Sequence, residues 1–246
     1  MRIFITGSSD GLGLLAAKQL ISEGHQVVLH ARNPQRAQDA RDALGDTLSA
    51  EAVLVADLTK PQEVVDLAAQ VNALATTQPF DAIIHNAGIY IAPLEQVFAV
   101  NSLAPYILTC LIDKPQRLIY LTSGMHTGGR ALLNNLENRT SYSDSKFQIV
   151  LLTKAVARAW PSVYSNAVNP GWVPTKMGGV GAPDDLEEGY TTQVWLAASN
   201  EKAAQVSGKY FSHGKPSRPA AGVEDTMLQD AYIKRMEEIS GIKFPY

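Results

Sequence analysis

The chain has 246 residues, 46% of them hydrophobic, and its 21 Lys and Arg nearly balance 24 Asp and Glu for a formal net charge of −3. That length and apolar content suit one undivided α/β domain with a sizeable core. Balanced charge without a Lys/Arg cluster excludes nucleic acid and anionic membrane surfaces as natural partners and leaves small molecules. Short β-branched runs near 2–6, 26–31, 51–56, 81–85, 117–122 and 163–168 alternate with longer helical patterns. Such alternation predicts βαβ units and a parallel sheet covered by helices on both faces. The first run follows Met1 directly, which leaves no room for a signal peptide, and no apolar run is expected to reach the length of a membrane span, so we expect a cytoplasmic location. Gly24 reads as the cap that closes the first helix, while Pro34 and Pro61 stand where later helices begin. Cys110, the single cysteine, lies in an apolar helical stretch and is expected to be a buried small hydrophobe in a reducing compartment. Residues 175–190 are Gly-rich and aperiodic, the composition of a mobile loop. The C-terminal extension, 212–246, opens on a coil at Ser212-His213-Gly214-Lys215-Pro216 and continues into a polar helix near 224–240 to which the sequence assigns no role. No repeat or linker divides the chain, so 1–246 reads as one domain.

After the first strand comes Thr6-Gly7-Ser8-Ser9-Asp10-Gly11-Leu12-Gly13. Glycines here permit a tight turn and close backbone approach, and the following helix offers free N–H groups to a pyrophosphate. A dinucleotide-binding Rossmann fold, doubly wound with about seven strands, is the fold class this predicts, with Gly7, Ser9, Asp10, Gly11, Leu12 and Gly13 at the cofactor. An acid at the end of the second strand would bind a ribose 2′-hydroxyl, but this strand ends Leu29-His30-Ala31-Arg32-Asn33. A guanidinium on a 2′-phosphate adds about 1.5–3 kcal/mol, so Arg32 predicts NADP(H). Tyr142 and Lys146, four residues apart, share one face of a helix and form a proton donor with its own activator. Bringing a phenol from about 10 to near 7 takes roughly 4 kcal/mol, which an adjacent ammonium largely supplies. No metal site is expected.

With Asn86-Ala87-Gly88, Asn101, Ser123 and Asn169-Pro170-Gly171 in that order, the whole chain resembles the short-chain dehydrogenase/reductase family. The resemblance implies Ser123, Tyr142, Lys146 and Asn101 as the catalytic set. Ser123 would polarise a carbonyl and Tyr142 would protonate the alkoxide. Lys146 would also hold the nicotinamide ribose, and Asn101 would kink its helix and hold a water that relays protons to the lysine. Thr122 is the weaker half of a hydroxyl pair. Asn86, Ala87 and Gly88 are implied at the adenine ribose, and Asp57 and Leu58 resemble an adenine-contacting pair, although Asp57 reads equally as a helix cap before Pro61. Pro170, Gly171, Val173 and Thr175 would present the nicotinamide, and 175–190 would be the substrate lid. The family's subunits commonly pair as dimers or tetramers through the helices carrying Asn101 and Tyr142. The stretch 124–141 reads as an insertion, and its Ser-x-x-His at Ser123 and His126 is similar to that of retinol-dehydrogenase-like members.

The sequence therefore points to an NADP(H)-dependent carbonyl reductase or alcohol dehydrogenase. An SDR-fold epimerase or dehydratase and a catalytically idle NADP-binding sensor are the alternatives. Tyr90, Met125, Trp172 and Met177 flank the presumed reacting centre and predict a hydrophobic carbonyl or alcohol as substrate. His126 is expected at the surface of the insertion, with a hydrogen bond to substrate as its other reading, and His85 as a satisfied strand histidine.

Overall fold

The computed structural model describes residues 1–76 and 78–246. The β-branched runs form β1 (Arg2–Ile5), β2 (Gln26–Ala31), β3 (Ala52–Val55), β4 (Ala82–His85), β5 (Arg117–Leu121) and β6 (Tyr164–Asn169), followed by β7 (Tyr210–Ser212) and β8 (Lys215–Ser217). Between them lie α1 (Gly11–Ser22), α2 (Pro34–Leu44), α3 (Pro61–Ala75), α4 (Leu94–Phe98), α5 (Ala104–Leu111), α6 (Leu136–Arg139), α7 (Tyr142–Ala159) and α8 (Leu186–Ala198), with α9 (Thr226–Ser240) last. The strands join one sheet ordered β3-β2-β1-β4-β5-β6-β7-β8, parallel throughout except for the β7–β8 pair. The chain steps outward from β1 to β3 and then returns to place β4 on the other side of β1. That reversal opens a crevice at the carboxyl ends of β1 and β4, the place where such sheets take ligands.

Alternation along the strands serves both faces of this Rossmann sheet. Ile3 and Ile5 pack under α1, α2 and α8, whereas Phe4 points to the side of α3, α5 and α7. The expected coil at 212–216 is instead a hairpin. His213 at φ 49 and Gly214 at φ 71 give the two left-handed positions of a two-residue turn, and Pro216 is tolerated because β8 is the edge strand.

α9 adds a layer outside α7, burying Tyr232, Ile233 and Met236. Tyr106 Oη donates to the Ile242 carbonyl at 2.9 Å and Trp160 Nε1 to that of Pro245 at 2.6 Å. Lys154 pairs with Glu224 and Arg158 with Asp230 along the same seam. The C-terminal extension thus covers outer faces of α5 and α7, the surface assigned by resemblance to subunit pairing. The continuous helical stretch Leu94–Leu111 has the length and mean hydropathy, 1.2, of a membrane span, contrary to the sequence reading, and 72% of it is buried within the fold. Cys110 is only partly buried on α5, yet burial pushes its thiol up to about 12 and keeps it protonated.

Candidate active site

The cofactor side is assembled from backbone. Asp10 caps α1, its carboxylate accepting from Gly11 N at 2.8 Å. Gly7, at φ 62, admits no side chain because a Cβ would lie 2.8 Å from Ala87 Cα, and one at Gly13 would lie 2.3 Å from Asn86 Nδ2. These two glycines let the end of β4 pack onto the turn. Gly11 differs, since the nearest atom to its Cβ position is Thr175 Cγ2 at 4.0 Å. The open face of Gly11, the first-turn amides of α1 and Thr175 opposite form a cradle that fits a dinucleotide pyrophosphate, with Ser9 and Leu12 half-buried beside it. Asn86 is a brace here, its Nδ2 donating to Thr6 O and Gly7 O, both at 3.0 Å, while Ala87 N donates to Thr6 Oγ1 at 3.1 Å.

Arg32 is exposed just past β2. Sequence reasoning missed its neighbour one turn on. Arg36 Nη2 lies 3.0 Å from Asp10 Oδ2, and Lys176 also pairs with that carboxylate, so Asp10 is held down to about 2, chiefly by the Lys176 hydrogen bond. His30 was missed as well. Gly7 N donates to its Nδ1 at 2.9 Å, its Nε2 bonds the Ala56 carbonyl at 3.0 Å, and burial pushes the imidazole down to about 4, so the ring stays neutral. Asp57 does not cap α3, because Lys60 takes that position. Its Oδ1 accepts from Thr59 N at 3.0 Å and Thr59 Oγ1 at 2.7 Å, in a local turn with Leu58 buried beneath.

At the bottom of the crevice the catalytic candidates converge. α7 begins with a capping box, Ser141 with Asp144, which sets Tyr142 at the first helical position and Lys146 one turn below it. Ser123 follows β5, and its Oγ accepts from Met125 N at 3.2 Å, leaving its own proton free to be donated. Burial raises the Tyr142 phenol above its ordinary value, and the Ser123 hydroxyl against it draws it part of the way back. Lys146 Nζ sits 5.5 Å from the Tyr142 ring centroid, fully enclosed, and donates to Leu121 O at 2.9 Å. Burial pushes it down to about 8. The expectation that Lys146 lowers the phenol is therefore not met in this arrangement. Desolvation is the leading cause for both groups, and the ammonium is turned toward Leu121. Asn101 occupies a π-helical turn, Ala99–Leu103, where its amide exchanges two bonds with Ile89, each of 2.9 Å, and gives a third to Ser145 Oγ at 3.0 Å. Gly88 lies between: a Cβ there would be 3.3 Å from Lys146 Nζ and 3.5 Å from Asn101 Oδ1. Thr122 is excluded from the reacting pair, since its hydroxyl donates to the Lys146 carbonyl at 2.8 Å.

The segment after β6 closes the far side. Asn169 Oδ1 accepts from Gly124 N at 3.0 Å and Gly171 N at 3.1 Å, so the Asn169-Pro170-Gly171 turn and the Ser123 turn are one unit. Val173 is buried and Thr175 half-buried facing Gly11. Within the expected lid, 186–190 is already the first turn and a half of α8, capped by Asp185. The remainder is laced by Asp184 to Trp172 N, Trp172 Nε1 to Gly178 O at 2.8 Å, and Lys176 to Asp10. Tyr90 sets its ring edge on Tyr142, centroids 4.7 Å apart. His126 is buried, not on the surface of the insertion as expected, and both ring nitrogens face backbone. His85 is buried and stacked on Tyr120, with Nε2 3.5 Å from Thr109 Oγ1.

The sequence profile of the short chain dehydrogenases matches residues 1–185. The chain belongs to the short-chain dehydrogenase family. This short-chain dehydrogenase is 43% identical to an uncharacterized oxidoreductase of Emericella nidulans, an alignment covering 100% of this chain and 99% of the relative. It is 27% identical to retinol dehydrogenase 13 of Homo sapiens, over 99% of this chain and 85% of that protein, in line with the likeness to retinol-dehydrogenase-like members. Among solved structures, an uncharacterized protein from Mycobacterium paratuberculosis superposes with a TM-score of 0.80 at 22% identity, covering 100% of this chain and 95% of the other. An NAD(P)-dependent gluconate 5-dehydrogenase from Beutenbergia cavernae, solved with bound NADP, does so with 0.71 at 26% identity, covering 86% and 94%. The protein is an oxidoreductase of Rossmann fold, in a family that uses a nicotinamide cofactor.

Proposed function

We propose that this oxidoreductase reduces hydrophobic aldehydes or ketones with NADPH, or runs the reverse oxidation. The observation that carries the proposal is the meeting of Ser123, Tyr142, Lys146 and Asn101 beside the crevice at β1 and β4. Bound NADPH supplies the hydride. Ser123, whose Oγ accepts from Met125 N and whose hydroxyl lies against Tyr142, turns its proton to the carbonyl oxygen, and Tyr142 delivers its proton as that oxygen gains charge. A phenol raised by burial is a protonated donor at neutral pH, suited to the reductive direction. Lys146, at about 8, is mostly an ammonium at neutral pH and can leave Leu121 O for the ribose.

Preference for NADPH rests on Arg32, a guanidinium at the strand end where an acid would favour NADH, with Arg36 one turn on and paired with Asp10, and it is in line with the NADP bound by the gluconate 5-dehydrogenase. The apolar substrate rests on the rim, where Tyr90, Met125, Trp172 and Met177 are all exposed large hydrophobics. A homodimer or homotetramer, if formed, pairs through a face other than the one under α9. The test is NADPH and NADH oxidation against a medium-chain aldehyde, an aromatic ketone and a small sugar. Equal use of both cofactors sinks the cofactor reading, preference for the sugar sinks the substrate reading, and cofactor binding without turnover favours a sensor.

A further inference from the structure

We propose that His126 is a positioning residue for the catalytic serine, tying Ser123 to the C-terminal extension; this rests on the role given to Ser123 above. His126 lies on the short 3-10 turn Gly124–Gly128 and is 1% exposed, so its ring has no access to substrate or solvent. Ala220 N donates to Nε2 at 3.0 Å. A backbone N–H can only donate, so Nε2 carries no proton, and the proton of the neutral ring is on Nδ1. Nδ1 faces the Ser123 carbonyl at 2.7 Å. The main-chain N–H of His126 reaches the same carbonyl at 3.0 Å, so Ser123 is held twice by one residue while its hydroxyl stays free for chemistry. The ring also packs on Tyr210 of β7, centroids 4.7 Å apart. Ala220 belongs to the link between β8 and α9, and Val223 in that link is fully buried. The extension thereby serves as a strut that runs along α7 and ends behind the serine. Burial lowers the imidazole, which favours the neutral ring this geometry requires.

In wild-type enzyme labelled with 15N-histidine, long-range 1H–15N spectra at neutral pH are expected to show His126 as the neutral Nδ1–H tautomer, its peaks identified by their loss in His126→Asn. An Nε2–H or doubly protonated ring overturns the proposal. Kinetically, His126→Ala is expected to lower kcat about 10-fold or more with NADPH affinity unchanged. His126→Asn keeps an amide N–H near the place of Nδ1 and is expected to recover most of the loss, whereas His126→Gln, which replaces only the acceptor toward Ala220, is not. Wild-type kcat in His126→Ala, or better recovery by Gln than by Asn, overturns it. NADPH titration counts the folded sites in each variant, and the wild-type spectrum, assigned with His126→Asn, decides the tautomer even if His126→Ala does not fold. Ser123→Ala separates the two readings: turnover retained there removes the role of the serine itself, while turnover lost there beside a fully active His126→Ala removes only the strut.

Discussion

Around β1, α1 and the end of β4, polar groups are spent on one another: Asn86 on the carbonyls of Thr6 and Gly7, His30 on Gly7 N and Ala56 O, Asp10 on Gly11 N. Across the crevice, from Tyr90 and Met125 to Trp172, Met177 and Val180, large apolar side chains face outward, Val180 fully and Trp172 by 60%. The first side is rigid because each donor has a fixed acceptor, as suits a constant cofactor. The second side offers exposed apolar area, which, under the proposed function, would tolerate variation in the bound molecule. Substitutions on the two sides should therefore fail differently, abruptly in cofactor binding and chemistry on one, and gradually in substrate preference on the other.

The largest effect is expected at the centre where the sides meet. Tyr142→Phe should cut kcat by about 10²–10⁴ with NADPH affinity unchanged, since only the transferred proton is removed. Near-normal turnover of the variant, measured beside a cofactor titration, would show that another group is the acid.

Lys146→Met should abolish turnover and yet stabilise the fold. Burial lowers the ammonium from 10.5 to about 8, a cost of about 3 kcal/mol that is fully present below pH 8 and vanishes as the pH rises to 10.5, where the unfolded chain is neutral too. Thermal unfolding should show a Tm several degrees above wild type at neutral pH, the gap closing between those pH values. A lower Tm for the variant at neutral pH contradicts this.

Gly13→Ala tests the close packing of the cofactor side. Its new methyl group would meet Asn86 Nδ2 and the Gly7 carbonyl, the latter at 2.6 Å, so about 1–3 kcal/mol of stability and most NADPH affinity should be lost together. Calorimetric titration that finds unchanged affinity would mean that the turn can shift without harm. Arg32→Ala should weaken NADPH by roughly one to two decades and leave NADH alone, a difference that paired titrations read directly. The smallest effect is expected at the outer rim, where Trp172→Ala should lower kcat/KM for a medium-chain aldehyde by roughly 10-fold while sparing a small one. An equal loss for both would mean that Trp172 supports the Gly178 turn more than the substrate.

Elements were legible wherever local chemistry decides them, as in the glycine turn of β1–α1, the prolines opening α2 and α3, and Tyr142 with Lys146 on one helix face. β8 was not legible, because a His-Gly hairpin turn and a strand of only three residues carry almost no period. Nor was Arg36, whose importance comes from a partner, Asp10, that lies far back in the chain.

What the sequence determined alone is the set of chemistries present: a glycine-rich turn that opens a helix, a guanidinium at the end of the second strand, a hydroxyl, a phenol and an ammonium in family order. These follow from residue type and short spacing, which survive without knowledge of the fold. Which polar groups are free and which are already satisfied was decided only by the tertiary structure. Thr122 and Asn86 are consumed by distant backbone, Lys146 and Tyr142 are shifted away from each other's help by desolvation, and His126 is enclosed by an extension that begins some ninety residues later along the chain. Burial and hydrogen-bond partnership are properties of neighbours in space, and no local pattern of residues carries them.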